Sequence, residues 1–330
     1  MNSSNSKRST FFAKLVERAA PRGIVSQEEL RAALPSGEAT SVEIDRLIFE
    51  LRERGIVLVE TQLPPDCNHE SAVRHLFEQT LSGDYNDDAP WRAVGDLQIV
   101  GTRAVFETAS AWLLSREPLR RARGADVLAQ LGVTVGKRHA FPQESYVALM
   151  ELLRVEKETR PIASAISALG HVGNTDAASL IATFTNHNDP KVRFAVAFGI
   201  GRLRTSPLVI GPLLALMRDV DEDIRDWATF ELGVLASFDT QEIRDALVER
   251  LDDSFENARL EAIEALAKRK DMRVLSALLA ELELHDEPNP PSPIISAAWL
   301  LLGIEDDEND LPDWTTAEYA AALRERYPHA

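Results

Sequence analysis

Cysteine is nearly missing from this chain, and the lone residue, Cys67, excludes any internal disulfide. A chain stabilised without disulfides suits a reducing compartment, so a cytoplasmic location is expected. Aromatic residues are also scarce, at 6% of 330 positions, while apolar residues as a whole reach 45%. A core can therefore form, but from Ala and Leu, which suits packed helices better than a sandwich of aromatic and β-branched strands. No apolar run reaches the ~20 residues of a membrane span, and the polar opening MNSSNSKRST followed by Phe11–Val16 is not a signal-peptide core, so no membrane association is expected. Positive charge is in deficit, 36 Lys and Arg against 53 Asp and Glu, a net −17. Residues 1–65 balance at nine of each sign, whereas residues 271–330 hold 3 basic and 13 acidic groups. Such a surface repels phosphate backbones, so direct nucleic-acid binding is not expected.

What is present is repetition. DPKVRFAVAFGIGRL (189–203), DEDIRDWATFELGVL (221–235) and SFENARLEAIEALAKR (254–269) superimpose, each with an Arg that opens a helix and a small residue eight positions later: Arg193 and Gly201, Arg225 and Gly233, Arg259 and Ala267. Small or apolar residues at the third, fourth and seventh positions after the Arg fall on one helical face. Weaker copies end at Gly132, Gly170 and Gly303, so reference positions recur every 31 to 38 residues, the period of two-helix repeats. A second amphipathic stretch precedes each copy, as in 206–220, 240–253 and 272–284. Each unit is thus helix A, a turn, then helix B. Acids stand in the turns six residues before an Arg, Asp219 before Arg225 and Asp253 before Arg259. A carboxylate there satisfies free helix N–H groups and is in reach of an Arg of the same or an adjacent unit. These five residues are expected to form a structural ladder.

This pattern resembles the HEAT family, in particular its phycobilisome-lyase-like bacterial subgroup with units of the form VR-x-x-A-x-x-x-LG, over about residues 91–305. The resemblance implies an all-α solenoid of HEAT-type helix pairs. Some relatives of that kind are regarded as immunity proteins against contact-dependent toxins, which makes a toxin one candidate partner. The lyase-like label would imply a bilin-lyase-like enzyme, but the lone Cys lies outside the repeats. Residues 10–62 differ. Ser26 and Glu29 form a capping box, Ile44, Leu47, Ile48 and Leu51 share a face, and IVLVE (56–60) is β-prone. Leu15, the Gly23-Ile24-Val25-Ser26 turn, Leu30, Leu34-Pro35, Ile44, Leu47 and Gly55 to Glu60 resemble region 1.1 of primary bacterial sigma factors, which implies contact with RNA polymerase. The charge balance of zero departs from the acidic region 1.1, and the sigma regions that read promoters are missing; a generic three-helix or winged-helix domain is the other reading. The expected organisation is a disordered tail 1–9, a small three-helix domain 10–62, a linker 63–90 with a short helix at Ser71–Leu81, the repeat array 91–309 and a capping helix 310–330 that starts near Pro312 after an acidic turn.

Catalytic signatures are wanting. Cys67, His69, Glu70 and His75 cluster in sequence, but CNHESAVRH is not HExxH and has no partner cluster, so these are read as linker residues and no metal is expected. Gly199-Ile200-Gly201 follows no strand and precedes no phosphate-binding Lys, and no Ser or Cys has a His and Asp placed for a triad. No catalytic residue and no cofactor is therefore named. In the B-helix frame the second and fifth positions after the Arg should face a concave groove. They carry Phe198, Trp227, Phe230, Glu261 and Glu264, with Asp226 adjacent. A protein partner seated on these six residues and core packing of the aromatics are both open readings. The expected function is a non-catalytic scaffold for a protein partner, immunity or regulatory in role, with a transcription-related adaptor as the alternative.

Overall fold

The structure is a computed structural model that describes residues 12–34, 41–64, 67–285, 290–304 and 314–328. The disordered tail, Pro35 and the acidic turn around Pro312 that the sequence suggested fall outside these residues. The chain divides into two compact units, Met1–Val172 and Gly173–Ala330.

The first unit opens with helix α1, described over 12–19, followed by strand β1 (Ile24–Ser26), α2 (Gln27–Ala33), α3 (Ser41–Glu53) and strand β2 (Val57–Val59). The two strands pair in parallel, Ile24 with Val57 and Ser26 with Val59. The reading of residues 23–26 as a turn is thereby corrected. Leu15, Ala19, Val25, Leu30, Leu51 and Ile56 form its core. The capping box is present: Glu29 N–H donates to Ser26 Oγ at 3.2 Å and Ser26 N–H to Glu29 Oε2 at 2.9 Å. Buried Arg22 binds the same carboxylate at 2.6 Å. The backbone N–H groups of Glu60 and Thr61 donate to Asp96 at 2.8 and 2.7 Å.

Helix pairs follow: α4 (His69–Gln79) with α5 (Asp88–Val100), α6 (Arg103–Leu113) with α7 (Pro118–Ala129), and α8 (Pro142–Val155) with α9 (Thr159–Val172). The short helix of 63–90 starts two residues before the expected Ser71, because Asn68 caps it through the Ser71 N–H. The second unit holds α10 (Ala178–Ala182) with α11 (Pro190–Gly201), α12 (Ile210–Leu216) with α13 (Glu222–Thr229), α14 (Gln241–Arg250) with α15 (Glu256–Lys268), and α16 (Leu275–Leu284) with α17 (Ser292–Leu302). Helix α18 (Thr316–Arg326) packs on α16 and α17, capped by Thr315 and Glu318 in a second capping box. Its start at Thr316 corrects the expected start near Pro312. B helices stack on one another, α7 on α9 and α11, α13, α15 and α17 in sequence. The fold is the all-α HEAT-type solenoid that the repeats imply.

Counting to the fourth residue of each B helix gives Arg121, Ile162, Arg193, Arg225, Arg259 and Ile295; eight later stand Ala129, Gly170, Gly201, Gly233, Ala267 and Gly303. Gly132, assigned to this series from sequence, lies three residues beyond it, in a left-handed turn past α7. The small residues permit close approach. A Cβ at Gly201 would sit 2.5 Å from Glu231 Cγ, and one at Gly233 would sit 2.8 Å from Ala265 Cβ.

The four arginines repeat one geometry. Nη1 donates to the carbonyls six and five residues back, for Arg225 those of Asp219 and Val220 at 3.0 and 3.3 Å. Nε and Nη2 reach a carboxylate of the following repeat: Arg121 to Glu156, Arg193 to Asp219 and Arg225 to Asp253, all between 2.6 and 2.9 Å. Arg259 reaches Glu281 at 3.0 Å through Nε. The six-residue spacing therefore reports a carbonyl contact within the unit, while the acid side chain pairs with the preceding unit's arginine. The turn acid also closes its own turn, Asp253 accepting from Phe255 N–H at 2.9 Å and Asp219 from Asp221 N–H at 3.0 Å. Arg225, followed by the Phe255 N–H and Arg250, holds the Asp253 carboxyl down at about 2.

Arg225→Ala should cost about 1–3 kcal/mol, because the pair is largely shielded, at 13% and 2% side-chain exposure, yet Arg250 still reaches Asp253. Arg326→Ala should cost nothing measurable. The Asp253 pKa lies below its unfolded value of about 3.9, so the linked stability is present above pH 4 and lost as pH falls through 2. Melting curves should show the gap between wild type and Arg225→Ala shrinking over that range; equal melting temperatures at neutral pH would contradict the ladder.

Candidate functional site

The B-helix frame places one aromatic cluster on the surface of the second unit. The Trp227 ring lies 5.9 Å from Phe194, 5.7 Å from Phe198 and 6.0 Å from Phe230, centroid to centroid. Phe194 is 38% exposed and the other three rings are half-buried. The core beside them is formed by other residues, Val196 and Ile200 of α11 with Ile224 and Ala228 of α13. Just beyond α13 the helix widens into a π-type segment, Phe230–Leu235, whose exit is marked by Ala236 N–H donating to Glu231 O at 3.0 Å. Such segments recur at functional positions.

Acids adjoin the rings. Asp226 Oδ1, Trp227 Nε1 and Glu261 Oε2 are shielded from solvent and have no hydrogen-bond partner. An unpaired buried carboxylate favours its neutral form. Burial, aided by Asp223 and Asp253, pushes Asp226 up to about 6. Burial, aided by Glu264 and Asp226 and opposed by Lys268, pushes Glu261 up to about 7. Glu264 is engaged, accepting from Ser296 Oγ at 3.1 Å. The six residues named from sequence thus lie on α11, on α13 with its π-type extension, and on α15. Phe194 escaped that reading because it stands one position after Arg193, outside the second-and-fifth frame. Arg121 escaped it because Gly132 had been taken as the end of its unit.

In the first unit the second and fifth positions after Arg121 are Arg123 and Asp126, and they are satisfied internally. Arg123 is fully buried, donates to Thr80 O, Tyr85 O and Asp126, and lies 3.9 Å from the Tyr85 ring centre and 4.9 Å from that of Trp91. Tyr85 Oη donates to Asp126 at 2.7 Å and contacts Ser164 Oγ at 2.9 Å. The sequence cluster at 67–75 disperses over separate partners: Arg22 donates to Cys67 Sγ, His69 Nδ1 meets Arg22 O, His75 Nε2 meets Gln62 O, and Glu70 pairs with Arg74. Among the described residues no helix is long and apolar enough to cross a membrane.

Because the folded pKa values of Asp226 and Glu261 stand above the unfolded ~3.9 and ~4.3, the linked stability is full below pH 4 and lost as pH rises through 6 and 7. The double variant Asp226→Asn, Glu261→Gln should therefore melt above wild type at pH 8. Thermal melts should show that advantage shrinking steadily toward pH 4. A difference independent of pH would mean that the two acids ionise freely.

Comparison with known proteins agrees with this architecture. The family described as HEAT repeats matches residues 146–233 and 212–290, and Sigma-70 factor, region 1.1, matches residues 6–75. Protein YibA of Escherichia coli (strain K12) is 43% identical over 95 residues, 28% of this chain and 32% of that protein. Phycocyanobilin lyase subunit alpha of Thermosynechococcus vestitus is 34% identical over 76 residues, 23% of this chain and 28% of that protein. The chain thus spans about a third of the length of the curated relatives it matches. The X-ray structure of E. coli YibA superimposes with a TM-score of 0.58 at 24% identity, covering 90% of this chain and all of that one, a likeness of fold. Residues 146–290 thus match HEAT repeats, and residues 6–75 are like region 1.1 of sigma-70 factors.

Proposed function

We propose that this protein is a non-catalytic scaffold that binds a protein partner through the B-helix surface of α11, α13 and α15. The half-exposed ring of Trp227 among Phe194, Phe198 and Phe230 carries the proposal. Clustered, partly exposed aromatics beside shielded polar groups are what binding hot spots are made of, and a monomer gains nothing from displaying them. Phe198, Asp226, Trp227, Phe230, Glu261 and Glu264 would form the contact, while Arg193, Asp219, Arg225, Asp253 and Arg259 hold the helices that present it. The partition into 10–62, 63–90, 91–309 and a capping helix within 310–330 belongs to the same proposal, as does a cytoplasmic location. The likeness to a lyase subunit covers under a quarter of the chain and adds no catalytic group.

The match of residues 6–75 to region 1.1 favours a second reading, a transcription-related adaptor that meets RNA polymerase through its N-terminal segment. Affinity capture on the full chain, with the captured protein identified by mass spectrometry, separates a toxin from polymerase. The affinity of the purified pair then tests the surface. Trp227→Ala should weaken binding at least about tenfold, since anchoring aromatics contribute ~2 kcal/mol or more, whereas Arg326→Ala should leave it unchanged. Retained affinity in a Trp227→Ala protein that melts like wild type refutes the site. A Trp227→Ala protein that no longer folds returns the residue to the core.

A further inference from the structure

We propose that this surface takes an arginine side chain of the partner, its guanidinium held by Asp226 and Glu261 and its plane laid against Trp227. The inference rests on the partner-binding reading above and names the chemistry of the contact. Three observations carry it.

The site lacks a cation. Asp226 Oδ1 and Glu261 Oε2 are shielded acceptors with no donor, on adjacent B helices that pack together. The neighbouring cations are committed elsewhere. Arg225 spends its donors on Asp253 and on the carbonyls of Asp219 and Val220, Arg250 binds Asp253, and Lys268 Nζ donates to Val234 O at 2.8 Å. Arg202 lies over Phe198, 5.5 Å from its ring centre. Among the described residues no Arg or Lys lies over Trp227 or pairs with Glu261.

The protein also builds this arrangement for itself. In the first unit, at the same second and fifth positions of a B helix, Arg123 is clasped between the Tyr85 and Trp91 rings and the Asp126 carboxylate. The second unit has the rings and the carboxylates but an incoming group in place of the guanidinium.

Arginine fits better than lysine. Its planar fork offers several donors to two carboxylates at once and stacks on an indole, whereas an ammonium is a compact, strongly hydrated point charge. Asp223 and Glu264 add their negative fields to those of Asp226 and Glu261, and the chain's net charge of −17 favours the encounter.

The test uses the full chain and three peptides: acetyl-Gly-Leu-Arg-Leu-Gly-amide, the same sequence with lysine, and the same with citrulline, the uncharged isostere of arginine. The readout is the indole N–H resonance of Trp227, assigned by its loss in Trp227→Phe. At pH 8 the arginine peptide should shift it saturably. The citrulline peptide should bind at least about tenfold more weakly and the lysine peptide measurably more weakly. In Asp226→Asn, Glu261→Gln the arginine peptide should lose at least about tenfold in affinity while the protein stays folded. Cation binding needs both carboxylates ionised, so wild-type affinity should fall as pH drops from 8 to 5.5. No saturable shift, equal binding of the arginine and citrulline peptides, or full binding by the double variant overturns the proposal. If the captured partner loses affinity for Trp227→Ala but not for the double variant, the scaffold reading stands and the arginine does not.

Discussion

The structure depends on one arginine placed at the fourth residue of a B helix. Its fork closes the turn behind it through two carbonyls and grips a carboxylate in the repeat ahead. The gripped acid in turn closes its own turn through a backbone N–H, so each A-to-B turn is held from both sides. Lysine cannot do this, because one ammonium has no separated pairs of donors in fixed directions. Desolvating such a pair offsets much of its Coulomb gain, so its main effect is register, fixing how far one repeat rotates on the next. Where the register contact is not made, the position is apolar. Ile162 is buried in α9, and Ile295 occupies the site in α17, which the capping helix α18 follows in place of another helix pair.

The rung fixes how each B helix is turned, and the positions two and five residues later differ in burial from repeat to repeat: Arg123, Asp126, Ser164 and Ala195 are buried, while Phe198, Trp227, Phe230, Glu261 and Glu264 are half-buried. Apolar and small residues at the third, fourth and seventh positions go inward: Val196, Ala197 and Ile200 in α11, Ala228, Thr229 and Leu232 across α13 and its π-type extension, and Ala262, Ile263 and Leu266 in α15 are all buried. That row varies: it carries a buried, self-satisfied arginine and aspartate in α7, Ala195 and Phe198 in α11, rings in α13 and its π-type extension, and acids in α15. A shared scaffold with a variable face is the condition under which function is set by a few side chains on an otherwise uniform array.

Local features were legible in sequence because their partners lie within one turn. The Ser26/Glu29 box, the small residue eight positions after each arginine, and the helix pairs all follow from short-range rules. What escaped was non-local. Strands of three residues are too short to show a period, and β1 finds β2 only across 33 positions, from Ile24 to its ladder partner Val57, so IVS read as a turn. Glu281 pairs with Arg259 from within a helix rather than from a turn, which breaks the spacing set by Asp219 and Asp253. The glycine at 132 matched the pattern of a repeat end by residue type, yet its backbone serves a different turn, with φ of +79°. That Asp226 and Glu261 lack partners is a property of everything around them, which no spacing encodes.

The unpaired acids sit beside arginines that are committed to another carboxylate. Arg225 precedes Asp226 in sequence, and both it and Arg250 donate to Asp253, so cations are available within a turn or a neighbouring helix and are turned the other way. Shielded carboxylates without donors cost the fold free energy, and apolar residues of similar size would relieve that cost. Evolved sequences are consistent across most of their local choices, and departures that weaken the fold concentrate where something else is gained. Here two such acids and an indole N–H stand together beside the aromatic rings, while the rung arginines beneath keep their carboxylate partners. In the proposed complex a cation from the partner would relieve that cost.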